Sequence, residues 1–210
     1  MLRVDGAQGE GGGQVLRTAL ALSAIRGVPV EIHSIRARRK SPGLQAQHLT
    51  AVSALARICD AQVEDAALGS QSLRFAPGGI RGGEYHFDVG TAGSTALVLQ
   101  AILLPLSQAP GPSQVVLTGG THVPWSPPAH YAREVWLPVL HGAGVSAHLE
   151  ILRWGFYPKG GGRLHVAIEG GAKLNSGATQ SIARVAAQTG VRSGRCSTHM
   201  MPFLPLAATN

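Results

Sequence analysis

Cysteine, aromatic residues and acidic charge are all scarce in this 210-residue chain. Two cysteines, Cys59 and Cys196, are too few for a disulfide framework and form no metal-ligand cluster, which points to a reducing, cytoplasmic setting. No uninterrupted apolar run approaches about 18 residues, so the sequence predicts no membrane span. No secretory leader is read at the N-terminus. The histidines show neither zinc-protease spacing nor a paired-ligand pattern. Acids number 11 against 18 basic residues, a net charge of +7. Four of those seven excess charges come from Lys173, Arg184, Arg192 and Arg195, in a stretch with no acid at all, so global charge says little about a nucleic-acid partner. What is present is apolar side chain, 44% of residues, enough to form a core and to exclude a disordered chain.

The chain reads as two similar units. The first opens at Gly11-Gly12-Gly13 and continues into an apolar helix face of Val15, Leu16, Ala19, Leu20 and Leu22. The second opens at Gly90-Thr91-Ala92-Gly93-Ser94 and continues into Leu97, Val98, Leu99, Ala101 and Ile102. Strand-like runs follow at 30–35 and 115–118, then second helices at 47–58 and 129–140, then paired strand-like pieces at 63–66 with 72–75 and 146–152 with 163–168. The order helix, strand, helix, strand, strand predicts an α+β fold with helices on one face of each sheet. Residues 1–84 and 85–170 form the two units, and residues 171–210 read as a divergent tail, disordered or out of frame.

Duplication supplies an internal control, because a charged residue found in one unit alone is not needed for the shared fold. Glu10 and Arg17 flank the first glycine turn, where the second unit has Thr91 and Val98. Arg36, Arg38, Arg39 and Lys40 follow the first strand, where the second unit has Thr121, His122, Val123 and Pro124. Four cations in five residues are either a solvated basic loop or an anion site. A glycine turn running into a helix presents N–H groups and a positive dipole end to phosphate, and arginine holds phosphate with two parallel hydrogen bonds. No Gly-Lys-Ser/Thr follows the glycines, so this is not a Walker nucleotide loop.

Linked motifs then resemble one family. They are 5–14 (Asp5-Gly6-Ala7-Gln8-Gly9-Glu10-Gly11-Gly12-Gly13-Gln14) with Leu16-Arg17, Ser34-Ile35-Arg36-Ala37-Arg38-Arg39, Pro42-Gly43-Leu44, and Gln47-His48-Leu49-Thr50-Ala51-Val52. Arg81-Gly82-Gly83, Ala92-Gly93-Ser94, Pro127-Pro128 and Gly155-Phe156-Tyr157-Pro158 with Gly160-Gly161-Gly162 continue the pattern to about residue 170. Together they resemble the RNA 3'-terminal phosphate cyclase family. The resemblance implies tandem repeats of a two-helix, mostly four-stranded sandwich unit, two of the family's three. It implies ATP-dependent conversion of an RNA 3'-phosphate to a 2',3'-cyclic phosphate, through enzyme-AMP and RNA-adenylate intermediates. By motif position, Glu10 holds Mg²⁺ or Mn²⁺; Arg17, Arg36 and Arg39 bind phosphates; Gln47 and His48 support them. Gln100 contacts the nucleotide, and Pro127 and Tyr131 lie near the adenine. The family's nucleophilic histidine motif is not found in this sequence, and the context of His199 does not match it, which leaves His199 a weak candidate and this chain's own activity in question. The alternatives are a non-catalytic RNA-binding scaffold of the cyclase-like type and, more distantly, an enolpyruvyl-transferase-type enzyme.

Overall fold

The computed structural model describes residues 1–9 and 11–173. Each unit begins with a strand absent from the expected order: β1 (Leu2–Asp5) in the first and β5 (Gly83–Asp88) in the second. Both are edge strands: β1 has only four residues, three of them exposed, while in β5 Tyr85 and Phe87 alternate with exposed Glu84, His86 and Asp88. The first sheet adds β2 (Val30–His33), β3 (Gln62–Glu64) and β4 (Leu73–Ala76) in the order β1-β2-β4-β3. The second adds β6 (Ser113–Gly119), β7 (Ala147–Arg153) and β8 (Gly162–Ile168) in the order β5-β6-β8-β7. In each sheet the first pair is parallel and the other two are antiparallel, so the two units share one topology. The observed order within a unit is therefore strand, helix, strand, helix, strand, strand.

The likeness reaches individual hydrogen bonds. Asp5 ends β1 by accepting the Ala7 N–H at 3.0 Å, and Asp88 ends β5 by accepting the Gly90 N–H at 2.8 Å. Such a short acidic side chain bonding its own backbone two residues on turns the chain toward the helix that follows. Those helices are α1 (Gly13–Arg26) and α3 (Thr95–Ser107); the first unit's second helix is α2 (Ala46–Cys59).

Helix α3 carries no charge and is buried almost all round, as an apolar helix must be. It packs against both α1 and α2, and the side chains of both units join one continuous core that includes Leu20, Leu55, Phe75, Leu99, Ile102 and Val166. The second unit's second helix departs from the uninterrupted span read from the sequence. It runs as α4 (Ala129–Tyr131), a wider π-helical stretch (Ala132–Trp136) and α5 (Leu137–Gly142). Pro138 has no N–H to give to the preceding turn and its ring crowds that carbonyl. The Leu137 N–H bonds instead to the Ala132 carbonyl, five residues back.

Strand β2 also stops short of the expected span. It ends at His33 because Ser34 and Arg36 take left-handed backbone angles, with φ of 53° and 54°. The basic segment that follows is thus wound into turns, closed by Ala37 N–H to Ser34 O and Arg39 N–H to Arg36 O. Those turns lay it over the glycine loop.

Candidate phosphate-binding site

The loop from β1 to α1 turns through Gly9 and Gly11, at φ of 62° and 59°, and delivers the chain to α1 at Gly13. Gly12 stands at the N-cap, where it has no side chain to satisfy the first-turn N–H groups, and the first turn of α1 carries no acid. Among the described residues no side chain caps the positive end of the helix.

Cationic side chains gather on this turn. A Cβ added to Gly12 would stand 3.1 Å from an Nη of Arg39. One added to Gly13 would stand 2.9 Å from Arg17 Nη1 and run into the His48 ring. Glycine is required at position 13 because two site side chains already occupy the space a methyl group would need. Arg38 donates to the Gly9 carbonyl at 3.3 Å, which fastens the basic segment to the loop.

Arg17 is 7% exposed, and its Nη2 donates to Gln14 Oε1 at 2.9 Å, while its Nε is buried with no partner among the described residues. Among the described residues no carboxylate pairs with Arg17 or Arg36. Burial pulls the Arg17 pKa down to about 10. A buried cation lacking a counter-charge is costly unless an anion arrives. Arg36 is half-buried and donates from Nη1 to the carbonyls of Ser41 and Gly43, both at 2.7 Å, so it braces its own loop. Its pKa is lowered first by burial and then by Arg39.

His48 sits in the first turn of α2, 4% exposed, with Nδ1 accepting the Gln45 N–H at 3.1 Å. That bond assigns the remaining proton to Nε2, on the side facing Gly13. Burial, then Arg36, then Arg17 lower its pKa to about 3. His48 is therefore a neutral hydrogen-bond donor at ordinary pH.

Gln47, one residue away, does something the sequence did not indicate. Its Oε1 accepts the Ser94 N–H of the second unit at 3.1 Å, and the Ser94 and Ser126 hydroxyls bond to each other. Ser94 also caps α3 by accepting the Leu97 N–H at 3.2 Å. A chain of hydrogen bonds thus links α2 to the loop bearing half-buried Pro127, with half-buried Tyr131 on α4 just beyond. Burial raises the Tyr131 pKa. Gln100 lies on α3 with both amide atoms buried and hydrogen-bonded to nothing among the described residues.

The structure therefore brings Arg17, Arg39 and His48 together on one glycine turn and joins Gln47 to the second unit. Gln14, Ser94 and Ser126 were not singled out from sequence. The spacing of Gln14 and Arg17, three apart on a helix, and a serine just before an apolar run were the available signals. Glu10 and His199 lie outside the described residues. Among the described residues no three metal-ligating side chains cluster.

The family model for RNA 3'-terminal phosphate cyclase matches residues 8–208, reaching past the residue-170 limit of the motif resemblance. A protein of Methylococcus capsulatus named RNA 3'-terminal phosphate cyclase is 53% identical over 180 residues, covering 82% of this chain and 50% of that protein. One of the same name from Nostoc punctiforme is 50% identical over 202 residues, covering 90% of this chain and 58% of that protein. The chain spans about half the length of the curated relatives it matches.

Proposed function

The chain belongs to the RNA 3'-terminal phosphate cyclase family, and we propose that it serves the ATP-dependent cyclisation of RNA 3'-phosphate ends by holding phosphate at the glycine turn that opens α1. The observation that carries this reading is the convergence of Arg17, Arg39 and His48 on Gly12 and Gly13, with Arg17 left lacking a carboxylate among the described residues.

The donor set suits a polyphosphate. The first N–H groups of α1, uncapped among the described residues, the Arg17 Nε, which has no partner among them, and the neutral His48 Nε2–H would each meet an anionic oxygen. ATP, when bound, supplies the activation that makes the RNA terminal phosphate electrophilic toward the neighbouring 2'-hydroxyl. Arg17 and Arg39 would bind and orient phosphate oxygens and offset charge as it builds at phosphorus. Arg36 would act mainly by fixing the 36–43 loop that carries Arg39. Glu10 would be the protein ligand for Mg²⁺ or Mn²⁺. The buried amide of Gln100, lacking a partner among the described residues, suits contact with a nucleotide base, and Pro127 and Tyr131 would flank it.

Equilibrium binding of radiolabelled ATP, with Mg²⁺ present, tests the reading. A charge-assisted hydrogen bond is worth roughly 1.5–3 kcal/mol, so Arg17→Met and Arg39→Gln should each weaken binding at least about tenfold. Unchanged ATP affinity in both variants would remove the glycine turn from the reading.

A further inference from the structure

The loop that follows β6, where the first unit has its basic loop, carries His122 and Trp125, and the connection from β7 to β8 brings Trp154 and Phe156 against it. We propose that this surface is a stacking platform for the bases of the single-stranded RNA whose 3' end the glycine turn holds; the inference rests on the function proposed above. His122, His130, Trp154 and Phe156 form one cluster. The rings of His122 and Trp154 stack at 4.7 Å between centroids, and Trp154 and Phe156 lie 6.2 Å apart and within 8° of parallel. His130 closes the group at 4.6 Å from Trp154 and bonds to His122 across 2.8 Å.

These rings are not core. Trp154 and Phe156 are 50% and 56% exposed, neighbouring Tyr157 is 71% exposed, and Trp125 on the same loop as His122 is fully exposed. An exposed aromatic surface of this extent on a folded domain marks a binding site. The backbone beneath it is fixed in advance. The Gly155 carbonyl accepts the N–H groups of Thr121 and His122 at 2.9 and 3.1 Å, and the Gly155 N–H donates to the Thr121 hydroxyl at 2.9 Å. Fixed, nearly parallel ring faces are what successive nucleobases stack on, whatever their identity.

Charge on this segment suits nucleic acid. Arg153 and Lys159 bracket the three exposed aromatics, and residues 151–168 contain no acid. The platform is also joined to the phosphate site. Its loop runs on through Ser126, whose hydroxyl bonds that of Ser94, and the Ser94 N–H is accepted by Gln47, the residue before His48 on α2.

Fluorescence anisotropy of a 5'-labelled oligoribonucleotide of about 12 nucleotides, ending in 3'-phosphate or 3'-hydroxyl, tests the proposal on the full chain. Joint replacement by Trp154→Ala and Phe156→Ala should weaken binding of both oligonucleotides about tenfold or more and leave the preference for 3'-phosphate intact. Trp154→Phe should retain binding within about threefold, because a ring face remains. Joint Arg153→Gln and Lys159→Gln should flatten the salt dependence between about 50 and 200 mM. Independently of any variant, saturating RNA should quench the parent protein's tryptophan emission.

A double variant with unchanged circular dichroism that binds both RNAs like the parent would overturn the platform and assign the surface to a protein partner. Absence of quenching would also overturn it. A parent that binds both RNAs equally would overturn the phosphate-end reading and leave the platform standing.

Discussion

The neutral state of His48 makes stability depend on pH in a calculable way. A histidine whose pKa is lower in the fold than in the unfolded chain takes up a proton on unfolding, so acid favours the unfolded state. Its contribution is fully present above the unfolded value of 6.5 and is lost as pH falls toward the folded value of about 3. For those two values the loss between about pH 7 and about pH 5 comes to about 2 kcal/mol. Urea unfolding of the parent and of His48→Asn, at several pH values across that range, isolates the effect. The asparagine carbonyl can still accept the Gln45 N–H, so the cap survives while the titration is removed. His122, whose pKa is lowered by burial and then by His130, shifts stability in the same direction. It is present in both proteins and cancels in the difference. The parent should lose about 2 kcal/mol more than the variant on acidification, with equal denaturant slopes. Parallel pH profiles would refute the buried, neutral assignment.

Gly13→Ala places a methyl group against Arg17 and His48 and should lower stability by about 1–3 kcal/mol while weakening ATP binding; unchanged thermal unfolding would contradict the close packing. Gln47→Ala leaves the Ser94 N–H unpaired and should cost about 1–2 kcal/mol, whereas Gln47→Glu, which keeps an acceptor, should cost less. Arg17→Met should weaken ATP binding without lowering the Tm, because it removes a buried cation that has no carboxylate partner among the described residues. A clear fall in Tm would mean that the fold itself depends on the Arg17 charge.

Helices were the legible part of the fold. The starts of α1 and α3 follow glycine turns, and their apolar residues recur at helical spacing, so α1, α2 and α3 lie close to where the pattern puts them. The edge strand β1 was hidden because four residues are too few to display a period, whereas β5 did carry a signal, the alternation of Tyr85 and Phe87 with Glu84, His86 and Asp88. The π-helical stretch at 132–136 was hidden for another reason: Pro138 is compatible with a helix start, and only the observed hydrogen-bond shift reveals that it widens an existing helix.

The phosphate-site residues were legible through the duplication, which separates charges present in one unit from residues both units need. Arg17, Arg36 and Arg39 stood out this way. Their partition was not legible. Nothing in the spacing distinguishes Arg36, which binds its own loop carbonyls, from Arg39, which faces Gly12. Gln47 reads as a neighbour of His48 on a helix, yet its bond goes to the second unit, because contacts between distant segments leave no periodic trace.

The most direct test of the central claim is the affinity of the full parent chain for one oligoribonucleotide carrying either a 3'-phosphate or a 3'-hydroxyl end. A site built from Arg17, Arg39, the His48 donor and the start of α1 predicts at least about tenfold tighter binding of the phosphate end. Equal affinity for the two ends would contradict it.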